Sequence, residues 1–255
     1  MNITSKTTVV ITGGASGMGL ATVEWFAQKG AKIAILDSNI ALAQEVASRV
    51  GAIAFECDVR DAYSVEQAIA QAREAHGSAR IGVSCAGICP ASRIVGKTGP
   101  MPLEDFKRVI DINLVGTFNV MRLLSADMIP LDPVTESGER GVIINTASVA
   151  AYEGQIGQTA YSASKGGVIS MALPAARELA QFGIRVNTIA PGIMGTPMVT
   201  AMPQAVQDSL AASVPFPKRL GHPEEFARLV GHIVENEMIN AEVIRLDGAI
   251  RMAPR

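Results

Sequence analysis

The sequence predicts a doubly wound α/β fold, a seven-stranded parallel sheet with helices on both faces. Short β-branched apolar runs alternate with longer stretches of helical periodicity along the 255 residues. The apolar runs are nearly continuous rather than alternating, which indicates strands buried on both faces. The chain shows no linker and no internal repeat, so we expect a single domain spanning 1–255.

Seven runs predict the strands, because each is β-branched and ends at Gly, Asp, Ser or Pro. In chain order they are TTVVIT (7–12), KIAILD (32–37), AIAFECD (52–58), IGVSCAG (81–87), GVIINTAS (141–148), IRVNTIAP (184–191) and AEVIRLDG (241–248). Helical periodicity covers the intervening stretches, about 17–30, 38–50, 61–76, 102–128, 159–182 and 223–236. Helices that join successive parallel strands give the Rossmann arrangement.

One stretch, 191–222, interrupts this alternation. It follows the carboxyl end of a strand, where ligands bind in open α/β sheets, and it is rich in methionine and proline. Methionine side chains fit irregular apolar ligands, so we predict a substrate lid here. A helical excursion of the core is the alternative.

Composition disfavours several classes of function. A formal net charge of −2 and a pI near 6.0 offer no basic surface for nucleic acid or an anionic membrane. No apolar run is long enough to span a bilayer without interruption, and strand-like sequence begins too early for a targeting peptide. The three cysteines and three scattered histidines show neither a disulfide framework nor metal-ligand spacing. We therefore expect a cytoplasmic protein that acts on a small molecule and has no metal, nucleic-acid or membrane partner.

A glycine-rich turn predicts the cofactor site. The first strand leads directly into TGGASGMG and then a helix, so backbone N–H groups can approach a pyrophosphate at the helix N-terminus. We predict that Gly13, Ser16, Gly17, Met18 and Gly19 bind the cofactor.

Asp37 predicts which cofactor binds. It ends the second strand, where an acidic side chain accepts hydrogen bonds from both adenine-ribose hydroxyls and repels a 2′-phosphate. The glycine turn carries no Arg or Lys, and Ser38 follows Asp37. These residues predict NAD rather than NADP; an N-cap role for Asp37 is the alternative.

Two more strand ends extend the predicted cofactor site. Asp58, with Val59 beside it, is placed to meet the adenine amino group, although helix capping is the stronger alternative because Asp58 and Asp61 both precede a helix. Ala86 and Gly87 would permit close backbone packing against the ribose.

Tyr161 and Lys165 predict acid–base chemistry. They are four residues apart on a predicted helix, so they share one face. An ammonium ~4 Å from a phenolate stabilises it by about 4 kcal/mol, which lowers a tyrosine pKa by roughly 3 units. Such a tyrosine exchanges protons with alcohols and carbonyls, and Ser148 at a strand end is placed to hold the substrate oxygen. Since YxxxK arises often by chance, a surface pair is the alternative for the motif taken alone.

Together these motifs resemble the short-chain dehydrogenase/reductase family over essentially the whole chain. They follow one another as Thr12-Gly13-x3-Gly17-x-Gly19, Asp37, Asp58, Ala86-Gly87, Asn113, Ser148, Tyr161-x3-Lys165 and Pro191-Gly192. The resemblance implies an NAD-dependent enzyme that interconverts a secondary alcohol and a ketone. It makes Tyr161 the acid/base, with Ser148 orienting the substrate oxygen.

The resemblance also implies roles for the remaining site residues. Lys165 would bind the nicotinamide ribose and lower the tyrosine pKa, and Asn113 would hold a water that links Lys165 to bulk solvent. Pro191 and Gly192 would join the cofactor site, and Thr196 would hydrogen-bond the nicotinamide carboxamide.

Within the family, three stretches resemble the type II 3-hydroxyacyl-CoA dehydrogenases. They are RGVIINTASVAAYEGQIGQTAYSASKGG, VPFPKRLGHPEEFARLV and EVIRLDGAIRM. This implies a homotetramer that oxidises 3-hydroxyacyl-CoA in fatty acid metabolism. The alternatives are a hydroxysteroid dehydrogenase, a 3-oxoacyl-carrier-protein reductase (disfavoured by Asp37, since such reductases usually use NADPH) and an NAD-binding scaffold without activity.

Overall fold

Seven parallel strands form the main sheet in the computed structural model, which describes residues 1–254. In chain order the strands are β1 (Thr8–Thr12), β2 (Lys32–Asp37), β3 (Ile53–Glu56), β4 (Ile81–Ser84), β5 (Val95–Gly96), β6 (Gly99–Pro100), β7 (Gly141–Thr146), β8 (Ile184–Pro191) and β9 (Val243–Leu246). The sheet order is β3-β2-β1-β4-β7-β8-β9, with every pairing parallel. The doubly wound prediction is confirmed, and the sequence missed only the short antiparallel ribbon of β5 and β6.

Helices connect the strands as the periodicity predicted. They are α1 (Gly17–Gln28), α2 (Ile40–Val50), α3 (Ala62–His76), α4 (Leu103–Ile110), α5 (Gly116–Met128), α6 (Thr159–Ala180), α7 (Pro197–Thr200), α8 (Gln204–Ala212) and α9 (Pro223–Glu235). A π-helical turn, Asp111–Val115, joins α4 to α5, so the predicted helix 102–128 is continuous but locally widened. The stretch 191–222 contains α7 and α8; its role as a lid stays a prediction.

The core lies on both faces of the sheet because successive strand side chains point to opposite sides. Val9 and Ile11 of β1 pack with the helices α1, α2 and α9. Val10, between them, packs with α3, α5 and α6 on the other face. Burial on both faces explains the nearly continuous apolar runs in the strand sequences.

The α4–α5 helix is long and apolar enough to cross a membrane by length and composition alone. This segment, Leu103–Met128, has a mean hydropathy of 1.3 over its most apolar window, half of which is buried inside the fold. Val120, Leu124 and Met128 pack into the core beneath the sheet. Core helices of α/β proteins satisfy the same criterion, so the finding is weak evidence for a membrane span.

A buried ion network joins β8 to α9. Arg185 of β8 donates from Nε to Glu139 at 2.8 Å and from its Nη atoms to the carbonyls of Ile233 and Val234 at 2.8 and 3.0 Å. The α-ammonium of Met1 also contacts Glu139, at 2.9 Å. Both charged side chains are buried, so these contacts compensate their desolvation.

Candidate active site

The glycine turn after β1 is shaped by backbone contacts that exclude side chains. Gly13 has a φ of +65°, and a Cβ there would lie 2.7 Å from the amide nitrogen of Ala86. A Cβ at Gly19 would overlap the carbonyl oxygen of Gly13. Thr12 Oγ1 accepts hydrogen bonds from the amides of Cys85 and Ala86, at 3.2 and 3.3 Å, and so joins the turn to the end of β4. The turn therefore lies where the strand order reverses, the position at which doubly wound sheets bind dinucleotides.

The rest of the turn approaches the segment that follows β8. Gly17 has a φ of +55°, and a Cβ there would lie 3.2 Å from Cγ2 of Thr196. Ser16 precedes α1 in an extended conformation, and its side chain makes no capping hydrogen bond. Met18 is partly buried against the core. The structure thus brings Gly17 of the predicted cofactor turn beside Thr196.

Asp37 faces the glycine turn. Its Oδ2 accepts the amide of Ala15 at 3.1 Å, and its Oδ1 accepts the amide of Asn39 at 2.9 Å. The N-cap of α2 is Asn39, whose side chain accepts the amide of Leu42. Capping is therefore not the role of Asp37, and its carboxylate lies where the sequence predicted a ribose contact.

Asp58 and Val59 make contacts within the protein that the sequence did not predict. The Asp58 carboxylate pairs with Arg60 at 2.6 Å, and hydrogen bonding from Arg60 lowers the pKa of Asp58. The N-cap of α3 is Asp61. Val59 is buried, and a Cβ at Gly116 would collide with its side chain. The sequence did not predict the Asp58–Arg60 pair, and adenine contacts of both predicted residues stay predictions.

Tyr161, Lys165 and Ser148 converge at the carboxyl end of β7. Ser148 follows β7 and caps a short helical turn by accepting the amide of Ala150 at 3.1 Å, and its side chain lies close enough to Tyr161 to lower the pKa of the phenol. Lys165 lies one helical turn beyond Tyr161, is buried, and donates from Nζ to the carbonyl of Thr146 at 2.7 Å. Its Nζ is 5.8 Å from the centre of the Tyr161 ring. The pair is therefore not a surface pair of chance spacing.

Asn113 completes this cluster from the π-helical turn. Its buried carboxamide exchanges two hydrogen bonds of 2.9 Å with the backbone of Ile88 and donates to Ser164 Oγ at 3.1 Å. A Cβ at Gly87 would lie 3.1 Å from Asn113 Oδ1 and 3.6 Å from Lys165 Nζ. Wide π turns occur often at functional sites, and this one places Asn113 beside the lysine across a glycine.

The electrostatics of Tyr161 correct the sequence-based argument. Burial, followed by the nearby Cys89 thiol, raises the pKa of Tyr161 to about 12, although the Ser148 hydrogen bond lowers it. Burial likewise lowers the pKa of Lys165 to about 8. The prediction that Lys165 brings the phenol toward neutrality is wrong for this structure, because it ignored desolvation and because the ammonium bonds a carbonyl rather than the phenol.

The last predicted residues lie at the end of β8. Pro191 closes the strand, and Gly192 donates its amide to the carbonyl of Leu246 at 2.9 Å. A Cβ at Gly192 would lie 2.8 Å from Asp247, so this turn is packed against the chain beyond β9. Glycine here reflects that close approach.

Several contributors escaped the sequence analysis. The carbonyl of Thr146 and the backbone of Ile88 act through main-chain atoms, which leave no residue-type signal. Cys89 lies near both titrating groups, and its spacing gave no indication of this. Thr12 belongs to the glycine motif, and its position at a strand end could have indicated a contact with β4. Within residues 1–254, no three His, Cys, Asp or Glu side chains form a group that could hold a metal ion.

Comparisons with known proteins identify the family of this chain. Residues 7–207 match the family model for short chain dehydrogenases. The 3-hydroxyacyl-CoA dehydrogenase type-2 proteins of Bos taurus and Drosophila melanogaster are 53% and 49% identical, each over 96% of this chain and over 95% and 97% of their own lengths. A (3R)-3-hydroxyacyl-CoA dehydrogenase of Rattus norvegicus is 33% identical over 95% of both chains.

A solved structure agrees equally well. The crystal structure of 3-hydroxyacyl-CoA dehydrogenase type-2 from Mycobacterium avium superposes with a TM-score of 0.92, 42% identity and complete coverage of both chains. The family model covers most of the sequence, and the fold and the order of motifs agree with it. This chain is therefore an oxidoreductase that belongs to the short-chain dehydrogenase family.

Proposed function

We propose that this enzyme oxidises the 3-hydroxyl group of a 3-hydroxyacyl-CoA to a ketone with NAD. The observation that carries the proposal is the convergence of Ser148, Tyr161 and Lys165 at the end of β7, with the buried Lys165 Nζ 5.8 Å from the centre of the Tyr161 ring. Relatives with the name of that activity, about half identical over nearly the full chain, support the substrate class. The lid expected at 191–222 would cover this substrate.

The residues present fit NAD. The glycine turn leaves a cradle that a Cβ would fill, beside Thr196 and at the N-terminus of α1. Asp37 offers carboxylate oxygens at the end of β2, where they would accept ribose hydroxyls and repel the 2′-phosphate of NADP. NAD, when bound, supplies the acceptor for the hydride that leaves the carbinol carbon.

The side chains of the site bind the substrate oxygen and accept the proton of its hydroxyl group. Ser148 and Tyr161 would hold the substrate hydroxyl between them, since the Ser148 side chain lies close enough to Tyr161 to lower the pKa of its phenol. As the carbinol C–H bond breaks, the O–H proton passes to the Tyr161 phenolate and a carbonyl forms. Lys165, when protonated, favours the phenolate through its charge, and the Thr146 carbonyl fixes its position.

The raised pKa of Tyr161 gives the reaction a pH dependence. With a pKa of about 12 the free enzyme holds a protonated phenol near neutrality, which suits proton donation to a ketone. Oxidation requires the phenolate instead, so its rate should rise with pH. Alkaline assay conditions therefore favour detection of the forward reaction.

NADH formation at alkaline pH tests the proposal directly. The panel contains (3S)- and (3R)-3-hydroxyacyl-CoA thioesters, hydroxysteroids and simple secondary alcohols, because one relative is named for the 3R isomer. We expect thioester turnover that falls on the order of 100- to 10,000-fold in Tyr161→Phe, while NAD still binds. Wild-type enzyme without activity on any thioester would refute the substrate class, and full activity of Tyr161→Phe would refute the acid/base role.

We further propose a homotetramer in the cytoplasm. The support for the assembly is the similarity to the type-2 dehydrogenases, and the three free cysteines favour a reducing compartment. Light scattering at assay concentrations measures the assembly: a mass of one or two chains would contradict it.

A further inference from the structure

An ion network joins the chain beyond β9 to the segment between Ser148 and Tyr161. Arg245 of β9 donates two hydrogen bonds to the carboxylate of Glu153, at 2.8 and 2.9 Å, and a third to Asp247 at 2.7 Å. Arg251 approaches both acids, with a closest distance of 3.4 Å to each. We call these four residues, Glu153, Arg245, Asp247 and Arg251, the tail network.

The central ion pairs of the tail network are largely shielded from solvent and are fixed in one geometry. The side chains of Glu153 and Arg245 are each 22% exposed, and that of Asp247 is 8% exposed. Two parallel N–H···O bonds fix the guanidinium and the carboxylate in one plane, which a lysine could not do. Hydrogen bonding from Arg245 is the main cause that lowers the pKa of Glu153. The Arg245 guanidinium also lies 5.1 Å from the centre of the Tyr152 ring.

Backbone contacts extend the attachment along the same segment. Ile156 donates its amide to the carbonyl of Pro254 at 3.0 Å. Gln155 donates from Nε2 to the carbonyl of Ala253 at 3.1 Å. Residues 149–158 are thus held at three successive points by residues 245–254. Ser148 lies at one end of this segment and Tyr161 three residues beyond the other.

The turn that carries the network is itself held in an unfavourable conformation. Ala249 has a φ of +66°, a region that residues with a side chain rarely adopt. Asp247 Oδ1 accepts the Ala249 amide at 2.9 Å, and the Asp247 carbonyl accepts the amide of Ile250 at 3.1 Å. Asp247 therefore stabilises the strained turn and also binds the Arg245 guanidinium that pairs with Glu153.

We propose that Arg245 is a positioning residue that acts through Glu153 to fix Ser148 and Tyr161 relative to one another. The proposal rests on the proposed function for its effect on turnover. Proton transfer needs the phenol, the serine hydroxyl and the substrate oxygen in one geometry, and Arg245 contacts none of them. Glu153, its carboxylate partner, lies in the stretch of main chain that connects Ser148 to Tyr161.

Two single variants and their combination test this. Arg245→Met keeps the length and apolar stem of the side chain, and Glu153→Gln keeps the shape of the acid. We expect each to lower kcat on the order of 10- to 100-fold, because displacement of reacting groups by about 1 Å has effects of this size. Any change in the dissociation constant for NAD should be smaller than the loss in kcat.

The double variant separates positioning from independent damage. If Arg245 acts through Glu153, the combined loss in kcat is smaller than the product of the two single losses. Arg73→Met is the matched control, because it removes an ion pair of 2.6 Å between Arg73 of α3 and Asp127 of α5, which shares no residue with the tail network. Its kcat should stay within about twofold of wild type, as for exposed pairs in general. Multiplicative losses, or equal losses in the control, would overturn the proposal.

Hydrogen exchange distinguishes failure of this proposal from failure of the proposed function. Peptides covering 149–158 should exchange faster in Arg245→Met than in wild type, while peptides of β1 and β2 keep their protection. If the wild-type enzyme oxidises no 3-hydroxyacyl-CoA, the proposed function fails and this exchange decides the structural part alone. Unchanged exchange, or unchanged kcat in a wild type that is active, would refute the role of Arg245.

Discussion

The Tyr161 phenol should stay protonated in the free enzyme well above the ordinary tyrosine pKa. The chain contains three tyrosines, so Tyr63→Phe with Tyr152→Phe leaves Tyr161 as the sole spectroscopic reporter. Tyr63 is exposed, and a phenyl ring at 152 retains the stacking surface for Arg245. Both substitutions therefore preserve the fold.

The size of the effect follows from burial. The pKa rises from 10.0 to about 12, which corresponds to about 2.7 kcal/mol against the phenolate at 1.36 kcal/mol per unit. At pH 10.5 an ordinary tyrosine is about three quarters ionised, whereas a group of pKa 12 is about 3% ionised. The two cases are therefore easily separated by absorbance at this pH.

Phenolate absorbance after a rapid pH jump measures this ionisation. We expect almost no phenolate signal at pH 10.5 in the folded protein, and full signal once urea unfolds it. Tyr161→Phe in the same background supplies the baseline, and Ser148→Ala should raise the midpoint further because the Ser148 hydrogen bond lowers the pKa. A midpoint below 9 in the free enzyme would refute the dominance of desolvation and restore the lysine argument from sequence.

Three further changes test other parts of the structure. Asp37→Ala should raise KM for NAD on the order of tenfold and reduce the preference for NAD over NADP, measured by initial rates with each cofactor. An unchanged ratio of the rates with NAD and NADP would contradict the ribose role of Asp37. Gly13→Ala should destabilise the fold by about 1–3 kcal/mol and weaken NAD binding, because its Cβ would lie 2.7 Å from the Ala86 nitrogen at a positive φ; thermal unfolding like wild type would contradict the contact. Arg185→Met should cost about 3–5 kcal/mol in urea unfolding, since it removes most compensation of the buried Glu139; a loss below 1 kcal/mol would show that the Met1 ammonium suffices.

The fold was predictable because its signals are local and repeated. Each sheet strand pairs on both sides or is covered by helices, so continuous apolar runs such as 33–36 mark them clearly. The glycine turn was predictable for a related reason, since only glycine adopts the φ of +65° and the close approach found at Gly13. Asp37 followed from its place at a strand end.

The features that the sequence did not predict depend on main-chain atoms, on residues far apart in the sequence and on burial from solvent. The Thr146 carbonyl that holds Lys165 and the Ile88 backbone that holds Asn113 carry no residue-type signal. The tail network pairs Glu153 with Arg245, 92 residues apart, and spacing cannot predict such a contact. The sign of the Tyr161 pKa shift required the burial of the phenol, which a helical i, i+4 pattern does not report.

Burial shifts the pKa values of Tyr161 and Lys165 in opposite directions. Removal of water disfavours every charged form, so the pKa of Tyr161 rises to about 12 while that of Lys165 falls to about 8. Between these values both side chains are neutral, and the phenol retains its proton. Near neutral pH Lys165 is therefore the group of the pair that exchanges protons readily. A Cβ at Gly87 would lie 3.6 Å from Lys165 Nζ and 3.1 Å from Asn113 Oδ1, so the proton-exchanging amine and Asn113 approach the same glycine. The direction of catalysis then depends on whether the phenol is ionised, and a rise in pH favours oxidation over reduction.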